Sequence, residues 1–336
     1  MRWLFRLLLL FAIGATAIWA AAQWWIDRPL SMVPQPGAEG TAVELLVEPG
    51  MSAQTVATAA VAAGVQTDES LLFAWFRLSG HARLIKAGSY EFEPGTTPRQ
   101  LLNKLVRGEQ ALRSLTLVEG WNIRQVLAAV QASPYLIQDL QGVALNDLMS
   151  RLGRQEAHPE GRFFPDTYRF PKRTPASVVL RQAAEAMDRQ LAAAWASREQ
   201  DSPLRSQEDL LILASIIEKE TGLADDRPMV AGVFANRLRI GMRLQTDPTV
   251  IYGLGESFDG RLLRVHLQTD TPYNTYTRAG LPPTPIAMPG EASLLAAVRP
   301  AKTRAMYFVS RGDGSSHFSA TLDEHNAAVR RYILNR

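Results

Sequence analysis

The chain of 336 residues contains no cysteine. Disulfides, thiolate metal sites and thiol catalysis are therefore excluded. It also lacks any basic tract and any RNA- or DNA-reading motif, so no nucleic-acid partner is indicated. The formal net charge is only +3, too small to argue for an anionic partner by itself. No internal repeat or low-complexity tract is present. Histidine is scarce, with five in the chain. Of these, His317 and His325 have no third ligand nearby in sequence, so neither a metal nor a cofactor is expected. What remains is a globular composition, 21% charged and 46% hydrophobic, long enough for about two domains.

Charge is missing again between Leu7 and Ala22, and the apolar character continues through Trp24, Trp25 and Ile26. At about 1.5 Å per residue, Trp3 to Ile26 is long enough to cross a bilayer as a helix. Arg2 and Arg6 on the amino side predict a cytoplasmic N-terminus, with the tryptophans at the far interface and Asp27 and Arg28 closing the span. A cleaved signal peptide is the competing explanation, because Ala20-Ala21-Ala22 satisfies a small-residue cleavage site. The apolar run exceeds a signal core of about 7–15 residues and passes beyond the alanines, which favours a retained anchor. Either way, everything after Asp27 is expected to work outside the cytoplasm.

The expected fold is α+β in three parts. Residues 1–28 form the cytoplasmic tip and transmembrane helix, and the proline- and glycine-rich residues 29–40 form a linker. Residues 41–110 read as a small α+β module: a strand Val43–Val47, helices Ala53–Ala63 and Glu69–Leu78, a strand Ala87–Phe92 and a helix capped by Thr97. Residues 111–336 read as a larger mixed α+β domain. Leu115–Val118 is its first strand, Asn122 caps a helix Ile123–Ala132, and helices follow around Leu145–Leu152 and Pro175–Ser197. Asp225 and Asp226 precede a helix that Gly241 ends. Thr271–Gly290 is a long irregular segment, which inside a compact domain is usually functional or disordered; its aromatic content argues for order. A strand Ala305–Val309 and a helix Thr321–Leu334 close the chain.

The most apolar helical stretch runs from Leu210 to Ile217, with Ser215 its one polar residue and Ser206 as its cap, and ends at Glu218. Such a helix is buried on most of its circumference. A carboxyl group at its end loses hydration, which favours the protonated form and suits proton transfer. The competing explanation makes Glu218 the first solvated residue, paired with Lys219 or Arg237. Glu220 lies about 200° further round a helix, so the two carboxyls cannot face one cleft as a dyad.

Several long motifs, in order, carry a resemblance. Gly88-Ser-Tyr-Glu-Phe92 and Glu160-Gly-Arg-Phe-Phe-Pro-Asp-Thr-Tyr168 are followed by Ala214-Ser-Ile-Ile-Glu-Lys-Glu-Thr221 and Val233-Phe-Ala-Asn-Arg-Leu238. Then come Leu244-Gln-Thr-Asp-Pro-Thr-Val250, Thr271-Pro-Tyr-Asn-Thr-Tyr276, Gly280-Leu-Pro-Pro-Thr-Pro-Ile286 and Phe318-Ser-Ala-Thr-Leu-Asp-Glu-His-Asn326. Together they resemble the YceG-like family of membrane-anchored endolytic murein transglycosylases, and the upstream module is similar to that family's LysM-like subdomain. The resemblance implies a lyase that cuts the β-1,4 bond between N-acetylmuramic acid and N-acetylglucosamine within nascent peptidoglycan strands. It places the catalytic glutamate on Glu218 and leaves a 1,6-anhydro end. It also implies an inner-membrane protein with its catalytic domain in the periplasm, beside membrane-bound peptidoglycan synthases, and no cofactor.

Other residues have two readings each. Gln245, Thr246 and Asp247 either touch substrate or cap the helix after Pro248, and Asp247 is the second carboxylate if the enzyme is a muramidase. Tyr273, Asn274 and Tyr276 either offer sugar-stacking faces and amide hydrogen bonds or pack their own loop. Asn236 is either a ligand or an ordinary exposed helix position. Ser215 either orients Glu218 or bonds back along its helix. The small module either holds glycan or only spaces the larger domain from the membrane. A third alternative is a non-catalytic glycan-binding scaffold.

Overall fold

The computed structural model of the chain describes residues 2–34, 41–155 and 158–334. It divides into two compact units, one of Met1–Arg113 with Phe170–Lys172, the other of Ser114–Arg169 with Arg173–Arg336. A division at residue 110 does not anticipate the return of Phe170–Lys172 to the first unit. Among the described residues the strands form five two-stranded sheets, and helices supply most of the rest, giving a mixed α+β chain.

The first unit opens with a 25-residue helix, Arg2–Ile26, of which Trp3–Ile26 is long and apolar enough to cross a membrane. Of the expected linker, residues 35–40 lie outside the described residues. Its first half is not irregular: Ser31–Met32 pairs antiparallel with Val65–Gln66. Val43–Val47 and Gly88–Phe92 form an antiparallel pair with Leu45 opposite Tyr90. Val43, Leu45 and Val47 all turn inward, as the two-residue period of a half-buried strand requires. They meet the apolar faces of Ala53–Ala63, Glu69–Leu78 and Pro98–Arg107 in one core built on Val56, Leu72, Phe76 and Leu101. Thr97 and Gln100 close the last of these helices with a capping box. Gly64 has φ +119°, and a Cβ there would lie 2.0 Å from the Val33 carbonyl oxygen, so only glycine fits.

The centre of the second unit is the helix Gln207–Glu220. Ser206 accepts from the Asp209 N–H as its cap, and every residue from Leu210 to Ile217 is buried. Four helices pack around it, namely Ala176–Ala196, Arg227–Arg239, Asp247–Leu254 and Glu291–Val298. The last has no counterpart in the sequence reading. It is a short apolar stretch whose buried Ser293, Leu294, Ala297 and Val298 make it a core element. A hairpin of Tyr307–Ser310 and Ser316–Ser319 follows. The closing helix is α-helical only over Leu322–Val329, after a Thr321–Glu324 capping box, and then widens into a π-helical turn at Arg330–Leu334. Arg237 is buried at 6% exposure. Its guanidinium donates to the carbonyls of Met306 at 2.7 Å and Leu244 at 2.6 Å, tying three segments together.

Leu213 is fully buried in that central helix. Truncating it should leave a cavity the close-packed neighbours cannot fill. Leu213→Ala should lower stability by about 2–5 kcal/mol, read as a reduced urea midpoint at unchanged m-value.

Candidate active site

Glu218 lies in the last turn of the central helix and is half-buried. Its carboxyl accepts a hydrogen bond from the Gly290 N–H at 3.0 Å. A second carboxyl reaches the same glycine. A Cβ on Gly290 would fall 1.9 Å from Glu119 Oε1 and 2.4 Å from its Cδ. Glu119 is raised above the ordinary glutamate range, first by burial and then by the charge of Glu218, with Arg227 acting the other way. In the sequence, Glu119 falls between the expected strand Leu115–Val118 and the cap Asn122, with nothing to mark it. No local pattern connects position 119 with position 218.

The turn that carries Glu119 is fastened from several sides. The Gly120 N–H donates to the Met288 carbonyl at 2.9 Å, and the Met288 N–H donates to Trp121 O at 2.7 Å. Gly120 has φ +75°, and the Lys219 ammonium donates to its carbonyl at 3.2 Å. Asn122 and Gln125 form the capping box of Ile123–Ala132. The first N–H of that helix, from Ile123, donates to both oxygens of Glu160 at 3.0 and 3.2 Å. Glu160 has no exposed surface, and Tyr252 donates to it at 3.0 Å. Burial pushes its carboxyl up to about 7 despite these donors. Ser215 bonds back along its helix, to Ile212. Its hydroxyl donates to Ile212 O at 2.7 Å and accepts from the Ile286 N–H at 3.0 Å, pinning the segment that leads to Met288 and Gly290.

Glu220 faces elsewhere, into a second group. Thr246 donates to its carboxyl, and Tyr276 donates to Asp247 at 2.6 Å. The Gln245 N–H donates to Thr275 O at 3.1 Å, and the Thr246 N–H to Thr275 Oγ1 at 3.0 Å. Gln245, Thr246, Asp247 and Tyr276 are thus brought together, but around Glu220 rather than Glu218. Burial pushes Glu220 up to about 7, the Thr246 bond opposing and the Asp247 charge adding, although part of its surface still meets solvent. Gln245 is exposed with φ +49°, a left-handed backbone that a side chain rarely adopts.

Asn274 and Asn236 are occupied as structural clamps. Asn274 is buried, donates to the carbonyls of His266, Leu267 and Thr269, and accepts from the Tyr276 N–H. Asn236 donates to the carbonyls of Thr303 and Ala305. Tyr273 bonds Thr284 through its hydroxyl at 2.8 Å, with its ring 4.9 Å from that of Tyr252. A cavity of about 230 Å³ opens on this irregular segment, lined by Asn274, Thr275, Arg278 and Pro282 among others; Glu218 does not line it.

Comparison with known proteins shows that the YceG-like family matches residues 45–331, nearly the whole of the second unit and the first unit from Leu45 onward. The chain belongs to that family. It is 31% identical to a Bacillus subtilis protein named endolytic murein transglycosylase, across 88% of this chain and 86% of the relative. A Streptococcus pneumoniae protein of the same name is 25% identical across 91% of this chain, which spans 61% of that longer relative. Among solved structures, a YceG-like protein from Listeria monocytogenes aligns with TM-score 0.55 at 30% identity, over 86% of this chain and all of the other.

The raised Glu160 carboxyl has a measurable consequence. Its ordinary value is 4.5 and its folded value about 7, so between them the folded state binds a proton that the unfolded state has released. Its contribution is complete below about pH 4.5 and is lost as pH rises through 7. Melting temperature should fall across that window, and Glu160→Gln, which keeps an acceptor for Ile123, should flatten the fall.

Proposed function

We propose that the protein is an endolytic peptidoglycan lytic transglycosylase anchored in the inner membrane, with Glu218 as its single acid and base. The observation that carries this reading is the placement of Glu218. It follows directly on the buried run Leu210–Ile217 in the last turn of its helix, its carboxyl aimed by the Gly290 N–H, within a family whose relatives are named endolytic murein transglycosylase. Glu218 protonates the glycosidic oxygen as the bond from C1 of N-acetylmuramic acid to N-acetylglucosamine breaks. The resulting carboxylate then takes the proton of the muramyl C6 hydroxyl while that oxygen bonds to C1. Glu218 ends protonated, no water is consumed, and the product carries a 1,6-anhydro ring.

The Arg2–Ile26 helix supports anchoring with the amino terminus in the cytoplasm and the catalytic unit in the periplasm, within reach of nascent strands. Membrane-bound peptidoglycan synthases are then the natural partners, and cutting would terminate strand elongation. The Val43–Arg107 part of the first unit is proposed as a LysM-like glycan-holding module, its strands and helices alternating around one core. Exposed Gln245, with its strained backbone, and the Tyr276–Asp247 pair are the proposed sugar contacts of the second group.

One observation favours a second reading, a muramidase. The carboxyl that could activate water is Glu119, beside Glu218, rather than Asp247, whose charge acts on Glu220. Product mass separates the readings. Full-length protein in detergent, incubated with purified glycan strands, should release anhydro-muramyl ends, one water lighter than hydrolytic ends. Glu218→Gln should lower the rate at least about 100-fold with binding retained. Reducing ends would instead establish the muramidase, and retained binding without cleavage by the unaltered protein would leave only a scaffold.

A further inference from the structure

Glu119 has no place in the one-acid mechanism, yet its carboxyl packs against the very glycine whose N–H holds Glu218. The turn is built to put it there. Gly120 would bring a Cβ to 3.9 Å from Glu218 Cγ, and the paired Gly120–Met288 and Met288–Trp121 bonds fix the turn against the Met288–Gly290 segment. The charged groups facing Glu119 are few. Glu218 and Lys219 lie on the central helix and Arg227 on the helix after it, while Glu291 beside Gly290 is exposed. Arg227 adds a positive charge, and its buried Nε has no hydrogen-bond partner among the described residues.

Resting on the transglycosylase reading above, we propose that Glu119 is a positioning residue for Glu218: its negative charge, brought to the glycine that holds Glu218, keeps the catalytic proton in the site until it is delivered. Two like charges meeting at one glycine resist being ionised together, so the pair releases its last proton at a higher pH than a lone carboxyl would. The singly protonated pair is the form that can both give a proton to the leaving oxygen and take one back.

The test is the pH–rate profile of full-length protein on purified glycan strands, comparing wild type, Glu119→Gln, Glu119→Asp and Gly290→Ala. In Glu119→Gln the alkaline limb should move to lower pH. The rate at neutral pH should fall about ten-fold with KM within three-fold, and lowering the pH should restore much of it. Glu119→Asp should keep the wild-type limb, because it keeps the charge. Gly290→Ala guards against misfolding of the first variant. Its methyl displaces only the end of a flexible side chain and leaves the Gly290 N–H on Glu218, so its limb should move in the same direction. A limb unmoved in Glu119→Gln and Gly290→Ala overturns the pairing, as does a loss of rate that no change of pH restores. Glu218→Gln run in parallel separates the two levels. If it remains active the transglycosylase assignment fails, whereas if it is inactive and the limb is unmoved only the pairing fails.

Discussion

Everything at the site depends on one helix having no exposed side from Leu210 to Ile217. With every direction occupied, the helix cannot rotate or slide without opening voids in a core whose atoms are close-packed. Its last turn is therefore placed as firmly as the core itself. The polar residues that follow inherit that placement and diverge: Glu218 turns to Gly290 and Glu220 to Thr246. Two residues apart on a regular helix, they serve separate neighbourhoods, as helical geometry demands.

The second determinant is the meeting of two distant loops. Glu119–Trp121 and Met288–Gly290 run side by side through backbone bonds, the first held below by Glu160 and the second by Ser215. Neither loop has a side chain that would mark it as functional alone. The carboxyl environment exists because backbone groups, which carry no sequence signature, hold the loops together. Glycine at 120 and 290 is the sole trace, one allowing a left-handed turn and the other leaving room for a carboxyl.

This explains which features were legible in the sequence. Val43–Val47, Ala53–Ala63, Glu69–Leu78 and Ile123–Ala132 were readable to the residue, because strong caps and clean periodicity mark them. The burial of Leu210–Ile217 and the position of Glu218 at its end followed from composition. The Glu291–Val298 helix was not readable, being short, weakly capped by Gly290 and preceded by prolines. Asn236, Asn274 and Ser215, each open to two readings in the sequence, share one circumstance in the structure. Each is a polar residue next to buried backbone whose carbonyl or N–H groups need a partner, and each has been taken up by that demand. Glu119 and Glu218, nearly a hundred positions apart, meet only through Gly290, which no periodicity encodes.

The apolar N-terminal helix does not hang from the first unit by a loose tether. Ile26 and Leu30 are buried in that unit's core, Trp25 packs on it, and Arg99 grips Asp27 at 2.7 Å and Gln23 at 3.2 Å. Tilting the helix would drag its globular neighbour along as a lever drags its arm. Whatever fixes the lean of that helix would thereby set the posture of the core to which these contacts join it.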